Sequence, residues 1–174
     1  TAGSGANTLI AYGSASTLTA GSGADVLTSS GQNDLLIGGS GNGTLTSYGA
    51  NSTLVGGAGT SVLIASGAGD VLLGGSGQNT LTALGSNETL TGGSGTSTLV
   101  GNVNGNTLKA GTGTTVASYS ANNLALNLVN GTASVSGGTV SDQLVGITRA
   151  IVSGNNNQLT TPGGGTLEVL QGSG

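Results

Sequence analysis

Six carboxylate side chains are the main stock of acid–base chemistry in this 174-residue chain. Histidine and cysteine are absent, which removes the commonest general base, the usual nitrogen and sulfur metal ligands, and every thiol nucleophile. One acidic pair has a suggestive spacing: Asp70 and Glu88 stand 18 residues apart. A glycosidase uses two facing carboxylates as acid and base. Such a site also needs aromatic rings to hold a sugar and cations to bind charge. The chain has three aromatics (Tyr12, Tyr48, Tyr119) and two cations, Lys109 and Arg149. The pair is therefore read as structural and the chain as non-enzymatic. The many Gly-x-Gly pairs are fragments of a phosphate loop at best, since no lysine or strand–turn–helix context accompanies them.

The elements that would position these groups follow from a second spacing. Leu9, Leu18, Leu27, Leu36, Leu45, Leu54, Leu63, Leu72, Leu81, Leu90, Leu99 and Leu108 recur every nine residues without a slip. Nine is not a helical period; it marks a repeat whose units bury their apolar side only by stacking. Ala2 to Ser118 divides into thirteen such units. Odd units resemble Ala20–Thr28 and carry a Gly-x-Gly pair; even units resemble Ala65–Leu73 and usually carry one glycine between those places. Thr, Val and Ile beside the leucine favour extended backbone, while glycine accepts positive φ at no steric cost and is expected to make the turns that way. Two unlike units make one 18-residue coil of strand, turn, strand, turn.

The predicted fold is all-β: a parallel β-roll, or β-solenoid, whose coils hold two short strands each and whose two sheets enclose a leucine ladder from each. It spans residues 1–118. A less regular solenoid continuation occupies 119–174, the whole forming one structural unit. The leucines are expected to be buried, and their two neighbours exposed or in contact with other chains. A 36-residue period lies on top, aligning 3–38, 39–74 and 75–110, with Tyr12, Tyr48 and Leu84 at one place and Asp34, Asp70 and Asn106 at another.

Gly74-Gly75-Ser76-Gly77-Gln78-Asn79-Thr80-Leu81-Thr82 resembles the repeats-in-toxin (RTX) nonapeptide, Gly-Gly-x-Gly-x-Asp-x-apolar-x, except at the aspartate. Leu126-Asn127-Leu128, Asn130–Ser134, Asp142–Ile147 and Asn157–Thr160 resemble the segments that interrupt RTX arrays in large secreted proteins. The resemblance implies a right-handed parallel β-roll, export by a type I secretion machine, an extracellular location, and folding outside the cell on calcium. It also implies that the sixth residue of each unit binds the ion. Those residues are Asn7, Ser16, Asp25, Asp34, Gly43, Ser52, Ser61, Asp70, Asn79, Glu88, Ser97, Asn106 and Thr115. Calcium takes six to eight oxygens, so only Asp25, Asp34, Asp70 and Glu88 remain as candidate ligands. Calcium is possible, and folding is expected not to require it, with neutral Asn, Ser and Thr pairing directly in its place.

Composition narrows the partners. Charged residues make up 5% of the chain and the net charge is −4, which leaves no basic stripe for nucleic acid. No apolar run is long enough to span a membrane as a helix. The chain starts at Thr1 and ends Gly172-Ser173-Gly174 in mid-pattern, as expected of a piece of a longer protein. Leu35, Ile37, Val62, Ile64, Val71 and Leu73 flank ladder leucines with almost no charge between them. Flat, uncharged, apolar sheet faces are contact surfaces. The expected function is a building block of an extracellular filament, surface layer or matrix that associates with itself or with neighbouring repeats. Alternatives are a spacer in a large secreted adhesin, a calcium-binding secretion or carbohydrate-binding appendage of an exoenzyme, and an ice-binding solenoid built on its Thr-x-Thr ranks.

Overall fold

A computed structural model describes residues 1–102, 104–136, 138, 141–162 and the backbone of 166–170; Gly172–Gly174 lie outside the described residues. Each of the thirteen units forms one strand. Odd units give β1 (Thr8–Ala11), β3 (Asp25–Ser29), β5 (Gly43–Ser47), β7 (Ser61–Ala65), β9 (Asn79–Ala83), β11 (Ser97–Val100) and β13 (Thr115–Ser120). Even units give three-residue strands: β2 (Thr17–Thr19), β4 (Leu35–Ile37), β6 (Thr53–Val55), β8 (Val71–Leu73), β10 (Thr89–Thr91) and β12 (Thr107–Lys109). Odd strands pair only with odd strands and even with even, all parallel and in an 18-residue register, as in Leu27↔Leu45↔Leu63 and Leu36↔Leu54↔Leu72. The result is a β-solenoid of two sheets closed over one core of stacked leucines.

Every ladder leucine from Leu27 to Leu108 is fully buried, whereas Leu9, in the first coil, is only partly so. Stacking on both sides makes the difference. Burial of each leucine contributes roughly 2 kcal/mol, which offsets part of the entropy of ordering so much glycine.

The Gly-x-Gly turns are made for a reason other than the one expected. None of those glycines has positive φ. They are glycine because the next coil approaches too closely for a side chain: a Cβ on Gly21, Gly23, Gly39, Gly41, Gly57 or Gly59 would collide with a carbonyl of the preceding coil. Gly3, Gly5 and Gly13, in the first coil, would meet nothing within 4 Å. Positive φ occurs instead at the fifth residue of the even units, once per coil: Ala15, Asn33, Asn51, Gly69, Asn87, Gly105 and then Asn123. Asparagine and glycine are the residues that tolerate this conformation best, so the two turns of a coil run on different chemistry.

After β13 the chain departs from the coil. It crosses to the even sheet as β14 (Leu124–Asn127), turns back as antiparallel β15 (Thr132–Val135), and returns as β16 (Ser141–Val145), which pairs in parallel with β12. Then β17 (Arg149–Ser153) joins β13, β18 (Gln158–Thr160) joins β14, and β19 (Thr166–Leu170) joins β17. The irregular segment expected after residue 118 is thus an antiparallel meander inserted into one sheet, with the solenoid resuming beyond it.

The leucines' neighbours differ from expectation. Leu35, Ile37, Val62, Ile64, Val71 and Leu73 are half-buried rather than exposed. Strands about 4.8 Å apart let each column of outward side chains cover its own flanks: Leu35 stands between Thr17 and Thr53, and Val62 between Thr44 and Thr80. The six also divide between the sheets, Val62 and Ile64 on the odd one, the other four on the even one.

Candidate functional site

The inward-facing residue two places before each ladder leucine is where the chain keeps its carboxylates. Because successive coils stack in register, these residues form two rows, one per sheet. The odd row runs Asn7, Asp25, Gly43, Ser61, Asn79, Ser97 and Thr115; the even row runs Ser16, Asp34, Ser52, Asp70, Glu88 and Asn106. Asp34, Asp70 and Glu88 therefore share one row, and Asp25 lies in the other.

In the odd row each side chain turns back on the glycine turn four residues earlier. Oxygens accept its amide: Gly21 N–H donates to Asp25 Oδ2 at 2.7 Å, Gly57 to Ser61 Oγ at 3.2 Å, Gly93 to Ser97 Oγ at 3.0 Å and Gly111 to Thr115 Oγ1 at 3.2 Å. Asn79, a donor, gives its amide to the carbonyls of Gly75 and Gly77. Asp25 Oδ1 also accepts the backbone and side-chain amides of Asn7, each at 2.9 Å. The Asn7 side chain chiefly holds the Asp25 carboxyl below its ordinary value.

In the even row the side chains of Asp34, Ser52, Asp70 and Asn106 reach across to the coil before them, whereas Glu88 Oε1 accepts the Gly85 amide of its own turn at 3.1 Å. Ser16 N–H donates to Asp34 Oδ1 at 2.7 Å, Asp34 N–H to Ser52 Oγ at 3.2 Å, Ser52 N–H to Asp70 Oδ1 at 2.6 Å and Glu88 N–H to Asn106 Oδ1 at 2.8 Å. Asn106 N–H then donates to Asp142 Oδ1 at 2.8 Å, so Asp142 continues the row across the inserted meander. The sequence carried a signal for it: Asp142-Gln143-Leu144 repeats the carboxylate-to-leucine spacing of Asp34-Leu35-Leu36. Nothing in the sequence pointed to Tyr119, whose buried hydroxyl donates to Asp142 Oδ2 at 2.9 Å. Burial beside that carboxylate pushes the Tyr119 phenol upward.

Asp34, Asp70 and Glu88 each keep a second oxygen, Oδ2, Oδ2 and Oε2, buried and without a hydrogen bond. Burial raises the Asp70 carboxyl, and raises Glu88 to about 8, where the negative charges of Asp70 and Asp142 add to it. These groups are sealed in the roll, closed to any substrate.

The sequence model of the RTX calcium-binding nonapeptide repeat, taken four copies at a time, matches residues 1–36, 11–45, 37–63, 46–81, 64–99 and 82–114. The chain belongs to this RTX repeat family. No curated protein and no solved structure matches it. Calcium is the ion the family implies, and it demands six to eight oxygens with open lone pairs. The odd row does not fit that demand: it has one carboxylate, both of whose oxygens already accept amides, and the Asn79 amide occupies turn carbonyls. The even row offers single free oxygens rather than sets. Among the described residues no three acidic side chains gather as a metal site.

Proposed function

We propose that this RTX-family chain is a non-enzymatic structural element of an extracellular assembly: a β-roll that associates through its sheet faces in a filament, layer or matrix. The observation that carries the reading is where the charge goes. Asp25, Asp34, Asp70, Glu88 and Asp142, five of the six carboxylates, are buried. The outer faces are left to ranks of Thr, Val, Leu and Ile that repeat in steps of about 4.8 Å, with little of the charge that normally keeps sheet faces apart beyond Lys109 and Arg149. Repetition supports open-ended association, because the same contact recurs along the axis. The family's type I secretion supports the extracellular location.

Half-burial of Leu35, Ile37, Val62, Ile64, Val71 and Leu73 within threonine columns favours one second reading, a spacer in a secreted adhesin. Sedimentation and electron microscopy separate the two. The building block is expected to form concentration-dependent assemblies that Val71→Lys with Leu73→Lys abolishes while circular dichroism stays unchanged. A chain that remains monomeric at high concentration overturns that reading and leaves the spacer.

A further inference from the structure

We propose that amide hydrogen bonds replace calcium as the lock between coils, so that this roll folds fully without the ion its family is known for. The rows described above carry the argument. An ion between turns needs the sixth-position oxygens and the turn carbonyls pointing at it with lone pairs unused. Here one oxygen of most sixth-position side chains faces an N–H group instead, and the oxygens left over, Asp34 Oδ2, Asp70 Oδ2 and Glu88 Oε2, stand singly rather than as a set. Asp25 accepts three, from Asn7 N, Asn7 Nδ2 and Gly21 N. Ser61, Ser97 and Thr115 each accept the amide of a turn glycine. In the even row Asp34, Asp70 and Asp142 each accept the backbone amide of the residue below.

The residue types agree with this job. Capping a backbone N–H requires one oxygen acceptor and no charge, and Ser52 and Asn106 perform it beside the aspartates. Gly43 has no side-chain acceptor at all, yet the coil stays in register there through the backbone bond common to its row, Asp25 N–H to the Asn42 carbonyl at 3.0 Å, like Gly43 N–H to the Thr60 carbonyl at 2.9 Å. A calcium row would not tolerate such a mixture, since each lost carboxylate removes ion affinity, whereas a capping row accepts any oxygen. The inference stands whether the roll is a building block or a spacer.

The test is far-UV circular dichroism and thermal melting of the whole chain in excess chelator and in 5 mM calcium chloride, with Asp70→Asn and Asp70→Ala alongside. The asparagine retains an oxygen for the Ser52 amide and deletes the carboxylate; the alanine deletes both. A full β spectrum in chelator, a melting temperature unmoved by calcium, and an Asn variant as stable as the parent while the Ala variant melts lower are expected. A chain disordered in chelator that gains β signal with calcium overturns the proposal, and wild type alone decides this if a variant fails to fold. So does an Asn variant as damaged as the Ala variant.

Discussion

The Tyr119 hydroxyl and Asp142 Oδ2 meet at 2.9 Å inside the roll and join its regular part to the inserted meander. Tyr119 is next to last in β13, the last regular odd strand, and Asp142 is second in β16, the strand that restores the even row. The ring occupies space that only a glycine leaves free: a Cβ on Gly101 would strike it, approaching Cζ at 2.5 Å and the hydroxyl at 2.6 Å.

Tyr119→Phe keeps the ring and removes a buried donor to a carboxylate, which typically costs about 1–3 kcal/mol. Thermal melting is expected to drop by several degrees. Gly101→Ala should cost at least as much through overpacking. A Phe variant that melts with the parent would show that the hydroxyl is idle.

Protonation of Glu88 makes stability depend on pH. Its folded-state value is about 8 against an ordinary 4.5, so between these the folded chain binds more protons than the unfolded one. Stability then falls as pH rises through that window, and Asp70, also raised, acts in the same direction. Asp25 is lowered; its contribution is present above its ordinary value of 3.8 and is lost as pH falls below it, outside this window. Melting temperature is expected to decline from pH 5 to pH 8, and Glu88→Gln to flatten the slope. An identical slope in the variant would assign the effect elsewhere.

Glycine is needed for approach, so position along the roll should decide the cost of a methyl group. Gly41→Ala drives a Cβ into the Gly23 carbonyl, whereas Gly5→Ala meets nothing within 4 Å. In this chain Gly41→Ala is expected to cost roughly 3 kcal/mol or more by overpacking, and Gly5→Ala less than about 0.5 kcal/mol. Denaturant titration of the two variants reads the difference.

Asn51 sits at φ 59° in an even turn. Asn51→Gly should be tolerated, while Asn51→Val forces a β-branched residue into the left-handed region and is expected to cost about 1–2 kcal/mol. Equal midpoints for the two in urea would rule out backbone conformation as the reason for asparagine there.

The coil, the two sheets and the leucine core were legible in the sequence, because a strict nine-residue period leaves stacking as the one way to bury Leu27 through Leu108. The fifth positions of the even units, Ala15, Asn33, Asn51, Gly69, Asn87 and Gly105, recur at 18-residue steps with mixed residue types, and their meaning required backbone angles. What only the tertiary structure decided are relations between coils. Glycine's role came from carbonyls 18 residues away, and the half-burial of Leu35 or Val62 from the threonines beside them. The stacking of Asp70 on Glu88, apart from Asp25 between Asn7 and Gly43, already follows from their 18-residue spacing; the amides that occupy these rows came only with the structure. The meander was least legible of all: Asn106 reaches Asp142 across 36 residues and Tyr119 reaches it across 23. The first separation is two coils and matches the spacing of Asp142-Gln143-Leu144, but the Tyr119 contact has no period to announce it, and forms only because the sheets on either side hold both residues in place.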